Sequence, residues 1–511
     1  MRTAVLSSLR LALTLLVIVP FRLAAESEKP VVEVLVSFQE YDTNVPWQRD
    51  ATKDRRGFGL MLNESVIITT ESLIRNQTLI EIRRPRSGRK ETARLIQADP
   101  QIDLALLALD TATRIPVASL PSSTAPEATT TTASILQITA SGEPQEGNGR
   151  IVQWKVDELP NAPYAVLLGS ILTDLNIDGA GAPVYIDDRL AGITLSYHGG
   201  SRTALMLPAM FLQQFIDDVQ SPPYRGFASA GIAWQPLIDD TKRAYFGVPA
   251  TEPGGIQVLG VLPGTNGENP LQPNDIILEI NGTAIDAQGF YNDPVCGRLA
   301  FPHMIKGNHR PGDHLQVKRI RDRQVATDTV VLRRFNDADL LIPENPEGLP
   351  EPYLVDGGLV IRELTGRMIK APGKQWTLRT NPRLAHLYLA RQTDVQKPGE
   401  RVVILSSVLA DPINIGYQHL RDEVIETVNG TPVANLHNVL AAVDREGGIH
   451  RLGLRGSGVE IALAPGALDE ANQRIATQYR IPQLRREPSP PATAEPANMT
   501  ARPDAPVPAD K

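Results

Sequence analysis

From Val31 to about Val219 the chain alternates short apolar runs with polar, turn-rich stretches. Val31–Phe38, Val66–Thr69, Leu79–Ile82 and Leu104–Leu109 each have the length of a strand, and this spacing predicts a β-sandwich or barrel. One segment breaks the pattern. Over Pro208–Val219, Met210, Phe211, Phe215 and Ile216 recur at helical spacing, which predicts a helix packed on the end of the barrel. Two later stretches echo each other: Asp275-Ile-Ile-Leu-Glu-Ile-Asn-Gly282 and Glu423-Val-Ile-Glu-Thr-Val-Asn-Gly430. In each, an acid opens an apolar strand that closes in Asn-Gly, a hairpin-turn signal. Upstream lie further strands, Gly255–Leu262 and Arg401–Val408. Downstream of each come a Thr-x-Ile or Thr-x-Val strand and a helical stretch. An internal repeat of this length points to duplicated domains and not to a solenoid. Between the copies, Asn336–Pro352 is rich in Pro, Asn, Asp and Glu and reads as a linker.

The two ends depart from this pattern. Arg2 and Arg10 precede the apolar run Leu11–Phe21, and Leu23-Ala24-Ala25 ends it in small residues. This is the layout of a secretory signal over residues 1–25, which implies export to the periplasm or the outside of the cell. An uncleaved membrane anchor is the alternative, although the run is short for a span. Residues 487–511 are mostly Pro, Ala, Thr and Asp and cannot bury enough apolar surface to offset ordering, so they read as a disordered tail.

Composition narrows the function classes. At 511 residues the chain is too long for one core, and about three domains are expected. A net charge of -7 argues against nucleic acid as a partner. The single cysteine, Cys296, excludes an intrachain disulfide and disfavours thiol chemistry. No cofactor motif or metal-ligand spacing stands out. His303, His309 and His314 cluster in a loop-rich stretch but have no Cys or ordered carboxylate beside them, so they read as solvated.

Four segments in order resemble the HtrA/Deg serine endopeptidases, the plant-type Deg proteins above all. Tyr41-Asp-Thr-Asn-Val-Pro-Trp-Gln48 is similar to the loop after their first strand, and Gly57-Phe-Gly-Leu-Met61 to their G-S-G-F strand. Ile102-Asp-Leu-Ala-Leu-Leu-Ala-Leu-Asp110 resembles C-D-L-A-I-L-x-V-D, and Asp178-Gly-Ala-Gly-Ala-Pro-Val184 falls where the family has G-N-S-G-G-P-V. The duplicated regions resemble the paired PDZ domains of the same proteins. The resemblance implies a mainly β chain: a trypsin-like double β-barrel over 26–222, a first PDZ domain over 223–335, and a linker over 336–352. A second PDZ-like domain over 353–466 and a C-terminal helix and extension over 467–486 then precede the tail.

The same alignment tests the chemistry. A serine protease needs a hydroxyl nucleophile, an imidazole that carries its proton and a carboxylate that orients the imidazole. The family's T-N-A-H-V-V stretch corresponds to Thr69-Thr-Glu-Ser-Leu-Ile74, which puts Ser72 at the His position. The Asp corresponds to Asp103 and the nucleophile to Ala180. Of eight histidines none precedes His198, which follows the nucleophile position and reads as structural or pocket-lining. Thr173–Pro183 is also two residues shorter than the family's oxyanion loop, and Ala182 replaces one of its glycines. A non-catalytic homologue is therefore expected, not an enzyme. An Asp at its ordinary pKa of ~3.9 is a poor base for a serine, so Ser72 and Asp103 are expected to share a plain hydrogen bond.

Expectation then moves to peptide binding. A PDZ groove adds an extended peptide to a sheet edge, while amides in a glycine loop catch its carboxylate. Ala230, Gly231 and Ile232 fit such a cradle, with Phe301, Met304 and Ile305 on the helix side or in the module's own core. In the second module Tyr353–Val360 has similar composition, and the long insertion between Thr365 and Glu400 is placed to cover that groove. The partners expected are unfolded or C-terminal peptide segments of other proteins. The resemblance also implies a trimer-based homo-oligomer or a mixed assembly with active relatives. The role would be chaperone, scaffold or regulator in protein quality control. A divergent active endopeptidase and a structural oligomer subunit are the alternatives.

Overall fold

The structure, a computed structural model, describes residues 30–488 apart from 111–119, 125, 127–129, 161, 250, 253, 263–268, 345–349, 374, 392–393, 396, 398 and 457. The expected signal, and the tail from 489 on, lie outside the described residues.

Six strands close the first barrel: β1 (Val31–Phe38), β2 (Lys53–Met61), β3 (Val66–Thr69), β4 (Gln77–Arg83), β5 (Lys90–Asp99) and β6 (Leu104–Leu109), in the order β1-β2-β3-β6-β5-β4. β6 is apolar at every position and buried at every position, since its two faces meet two different cores. A single turn, α1 (Glu71–Ile74), follows β3. Six more strands close a second barrel: β7 (Thr132–Ile138), β8 (Pro144–Leu159), β9 (Ala162–Thr173), β10 (Pro183–Ile186), β11 (Arg189–His198) and β12 (Thr203–Pro208). The expected helix is present as α2 (Ala209–Val219), with Phe211, Phe215 and Ile216 buried against the barrel.

The first repeat follows. Its strands are β13 (Ala228–Ser229), β14 (Ile232–Pro236), β15 (Ile256–Val261), β16 (Ile276–Ile280), β17 (Thr283–Ala284), β18 (Phe290–Asp293), β19 (Gly297–Ala300), β20 (His314–Arg321), β21 (Gln324–Val331) and β22 (Arg333–Arg334). Its helices are α3 (Asp240–Phe246) and α4 (Pro302–Lys306). The main sheet runs β14-β15-β16-β20-β21, while β13 pairs with β22. The helical stretch expected after Thr283-Ala-Ile285 is instead the β18–β19 hairpin, with only the five-residue α4 behind it. Turn chemistry prevails there: the Asp293 carboxylate accepts from the Val295 and Cys296 amides, and Gly297 takes a left-handed φ of 76°.

The second repeat contains β23 (Tyr353–Asp356), β24 (Leu359–Glu363), β25 (Val403–Val408), β26 (Glu423–Val428), β27 (Thr431–Pro432), β28 (Arg451–Leu454), β29 (Glu460–Ala462) and β30 (Arg485–Arg486). Its helices are α5 (Gly366–Lys370), α6 (Trp376–Arg379), α7 (Pro382–Ala390), α8 (Leu436–Glu446) and α9 (Leu468–Gln478). Here the expected helix does form, as α8, capped by Asn435 and ended by the left-handed Gly447. The sheet order is β29-β28-β26-β25-β24-β23-β30, so the C-terminal strand lies on the same sheet as β23. Residues 340–342 of the expected linker are buried, and Leu341 and Ile342 pack against Leu364, Ile369 and Leu384.

The repeats are not strung loosely on the barrels. One apolar cluster runs from the second barrel through α2 into the first repeat, joining Phe211, Phe227, Ile256 and Phe301. The Tyr41–Gln48 loop of the first barrel docks on the second repeat. Trp47 meets Tyr353 with ring centroids 5.8 Å apart, and the Arg486 guanidinium lies over both Tyr41 and Tyr353. Arg362, 1% exposed, pairs with Glu351 and donates to the Thr43 carbonyl at 2.6 Å.

Candidate functional site

Two places can carry chemistry: the cleft where the barrels meet, and the surroundings of the Ala230–Ile232 loop. In the cleft, α1 and the turn before β6 bring Ser72 to Asp103. The Ser72 amide donates to Asp103 Oδ1 at 2.6 Å and its hydroxyl to Oδ2 at 2.9 Å. The hydrogen bond expected between them is present, but the carboxyl is not an ordinary one. Burial pushes its pKa up to about 7, against the lowering effect of the Ser72 bonds. Such a group can take and return a proton near neutral pH. Strand β2 separates this pair from the Ala180 loop: a Cβ on Gly57 would sit 2.7 Å from Leu73 and 2.8 Å from the Ala180 carbonyl.

Three amides of that loop are engaged. Asp178 N donates to Gln137 Oε1 at 3.2 Å, Gly181 N to the Thr194 carbonyl at 2.7 Å and Ala182 N to Thr194 Oγ1 at 3.0 Å. Gly181 is obligatory here: at φ 90° its Cβ would fall 2.0 Å from the Phe58 carbonyl. His198 lies at the exposed end of β11, with Nδ1 3.1 Å from Ser201 Oγ. His303 corrects the expectation of three solvated histidines. It is 6% exposed on α4, and burial lowers its pKa below the ordinary imidazole value.

The second place is a cavity of about 480 Å³, within the range of ligand pockets. Of the six residues expected at a peptide groove, Ala230, Gly231, Ile232, Phe301 and Ile305 line it. Met304 does not. It is buried on α4 in the module's own core. The strand next to the loop, β14, ends its sheet, and among the described residues no strand pairs with its outer edge. Ile232 and Trp234, two residues apart on that strand, both face the cavity, and Trp234 meets Phe301 edge-on at 4.9 Å. One expected feature differs: the Gly231 amide is not bare but donates to Ser229 Oγ at 3.1 Å.

The rest of the wall comes from elsewhere in the chain, which periodicity along one repeat could not reveal. Gln101 and Tyr164 belong to the two barrels. Glu344, Tyr388 and Leu389 belong to the second repeat and its insertion. The 365–400 insertion was expected over the second groove, but α7 reaches the first. The second groove is filled differently. Gly357 and Gly358, with φ of 56° and 83°, turn β23 tightly back along β24, so β24 has β23 on one edge and β25 on the other.

Comparison with known proteins shows what the chain is similar to. The family model described as "PDZ domain" matches residues 342–487, which include α9 and β30. Over 434 residues the chain is 24% identical to "Protease Do-like 2, chloroplastic" of Arabidopsis thaliana, covering 81% of this chain and 67% of that protein. The chain is similar to Deg/HtrA-type proteases over most of its length. A "Probable periplasmic serine endoprotease DegP-like" of Marinomonas sp. (strain MWYL1) is 22% identical to this Deg/HtrA-type chain, over 65% of this chain and 70% of the other. Among solved structures, "HtrA-type protease AlgW with decapeptide" covers 60% of the chain at 17% identity and a TM-score of 0.45. The two closed six-stranded barrels, followed by sheets of which the last lies in the PDZ-matched region, give this chain a trypsin-like fold followed by PDZ. The relatives correct one expectation. They are named proteases across most of the aligned length, and the reading of the chain as not an enzyme does not stand against them.

Among the described residues no helix is long and apolar enough to cross a membrane, and no group of His, Cys, Asp and Glu could hold a metal ion.

Proposed function

We propose that this Deg/HtrA-type protein captures extended peptide segments, taking an exposed or C-terminal stretch of an unfolded protein as an added strand along β14. One observation carries the reading: among the described residues β14 is a free sheet edge, opening on a cavity lined by the glycine loop on one side and by Phe301 and Ile305 on the other. Main-chain pairing along the edge supplies affinity, and the positions facing Ile232 and Trp234 supply selectivity. Capture of this kind suits a protein of quality control, and the Arg2–Ala25 segment supports its export.

Fluorescence anisotropy of ten-residue peptides against the full chain tests the proposal. Ala230→Phe places a ring in the cavity mouth and should weaken binding at least about tenfold without changing the circular dichroism spectrum. Equal affinity in the variant would remove the peptide from this groove.

A second reading is favoured by the Ser72–Asp103 geometry and by the relatives' names. In it the cleft hydrolyses peptides, with Asp103 taking the proton of the Ser72 hydroxyl across 2.9 Å. A fluorophosphonate probe should then label Ser72, and Ser72→Ala should abolish both label and casein cleavage. An unlabelled Ser72 in a chain that folds normally would refute it.

A further inference from the structure

The cavity beside β14 is shared between the two repeats. Helix α7, in the insertion of the second, brings Tyr388 and Leu389 to its wall. The helix is held firmly by its other residues. Asn381 caps it by accepting from the Arg383 amide at 3.0 Å, and Pro382 opens its first turn. Leu384 is buried with Leu341, Ile342, Leu364 and Ile369, and Leu387 and Tyr388 pack on the same cluster. Tyr388 is further fixed by its ring and its hydroxyl. The hydroxyl donates to Glu344, the ring meets Trp376 edge-on at 5.6 Å, and the Lys370 ammonium lies 5.0 Å from the ring centre. Leu389 is the next residue along. It is 64% exposed, yet it lines the cavity. So exposed a side chain adds little to the burial that holds the fold. Leu378 on α6 makes the contrast: it is 84% exposed on the same insertion but lies away from the cavity lining. The rest of the large apolar lining near β14, Ile232, Trp234, Phe301 and Ile305, comes from the first repeat. Leu389 thus adds apolar surface to a ligand-sized cavity from a helix that cannot easily move away.

We propose that Leu389 is a specificity-determining residue of the groove. It receives one bulky apolar side chain of an extended peptide, so that the second repeat reads the ligand that the first repeat holds. This rests on the peptide-binding reading of the same cavity. A strand added along β14 sends alternate side chains to one face, so every second ligand residue enters the cavity. The ligand side chain that reaches α7 is enclosed between the two repeats. A small side chain there leaves Leu389 in water. A Leu or Phe covers it, and the free energy of that burial is the selectivity. The ligand class follows from the same contact. Folded proteins bury their Leu and Phe, so a segment that offers one in extended form belongs to an unfolded chain. The second repeat, whose β24 has no free edge, contributes a wall in place of a groove of its own. A bound peptide touches both repeats and therefore stabilises α7 where it stands.

The test uses the full chain and a ten-residue host peptide in which each position in turn carries Ala, Leu, Phe or Lys, read by fluorescence anisotropy. Wild type should favour Leu or Phe over Ala at more than one position, by about tenfold at the strongest. Leu389→Ala should erase the preference at one of these positions and keep the others. Leu389→Glu should reverse it there, so that Lys becomes the preferred residue at that position alone. Leu378→Ala removes the same atoms from the same insertion and should alter no preference. Hydrogen exchange supplies a second readout: bound peptide should slow the amides of 382–390 in wild type, and less so in Leu389→Ala. Preferences that survive both Leu389 variants at every position overturn the role of Leu389 and leave the groove along β14 intact. So does an equal loss of preference in Leu378→Ala, or α7 exchange that ignores the peptide. Failure of every peptide in every series overturns the groove itself, and the Leu389 assignment with it.

Discussion

Asp103 adopts a left-handed backbone conformation, φ 55°, that directs its carboxylate at the amide and hydroxyl of Ser72. Its folded-state pKa of about 7 stands above the open-chain value of 3.8. Between those values the unfolded chain releases the proton and the folded chain keeps it. The stability this group contributes is therefore full below pH ~4 and is lost as pH rises towards 7. Asp103→Asn keeps an acceptor for Ser72 and has no proton to release, so its melting temperature should vary less between pH 4 and 7 than that of wild type. Parallel curves would show that the carboxyl ionises in its ordinary range. The Ser72–Asp103 pairing was legible in the sequence, because the order of motifs fixes which segments meet. The protonation of Asp103 was not, because it depends on burial by residues far away in the chain.

At the scale of elements, the two repeats show how local chemistry divides one ancestral pattern. Both Asn-Gly hairpins and both central strands were legible from alternation and turn residues. The difference in groove state was not, because it turns on which edge a neighbouring strand occupies. In the second repeat the two-residue Gly357-Gly358 turn folds β23 onto β24, so that β24 keeps no free edge. In the first, β13 leaves to pair with β22, and β14 stays open. The full chain carrying Ala230→Phe should consequently show a single weakened isotherm and no second peptide site, measured by isothermal titration. A second, weaker isotherm would mean that β23 can be displaced.

For the whole molecule, the docking of the Tyr41–Gln48 loop on the second repeat is the joint with most at stake. Trp47 is 8% exposed and packs on Tyr353, and Arg362 and Arg367 donate to the backbone carbonyls of Thr43 and Tyr41. Replacing a buried Trp by Ala typically costs about 3–5 kcal/mol. In a chain of several cooperative units that loss should appear locally. Hydrogen exchange of Trp47→Ala should rise in 353–363 and 468–486 while the second barrel keeps its protection. Uniform exchange through the chain would indicate one cooperative unit instead. The loop motif was legible in the sequence, but its partner lies more than 300 residues away and no local pattern announces it.

The cavity wall is assembled from residues as far apart as Gln101 and Leu389. During synthesis, then, the barrels and the first repeat can leave the ribosome and fold well before the groove is complete. Until α7 emerges, β14 is exposed with one wall of its pocket missing. The nascent protein passes through an interval in which it can itself be caught by loose chains, and translation speed across residues 335–390 sets how long that interval lasts.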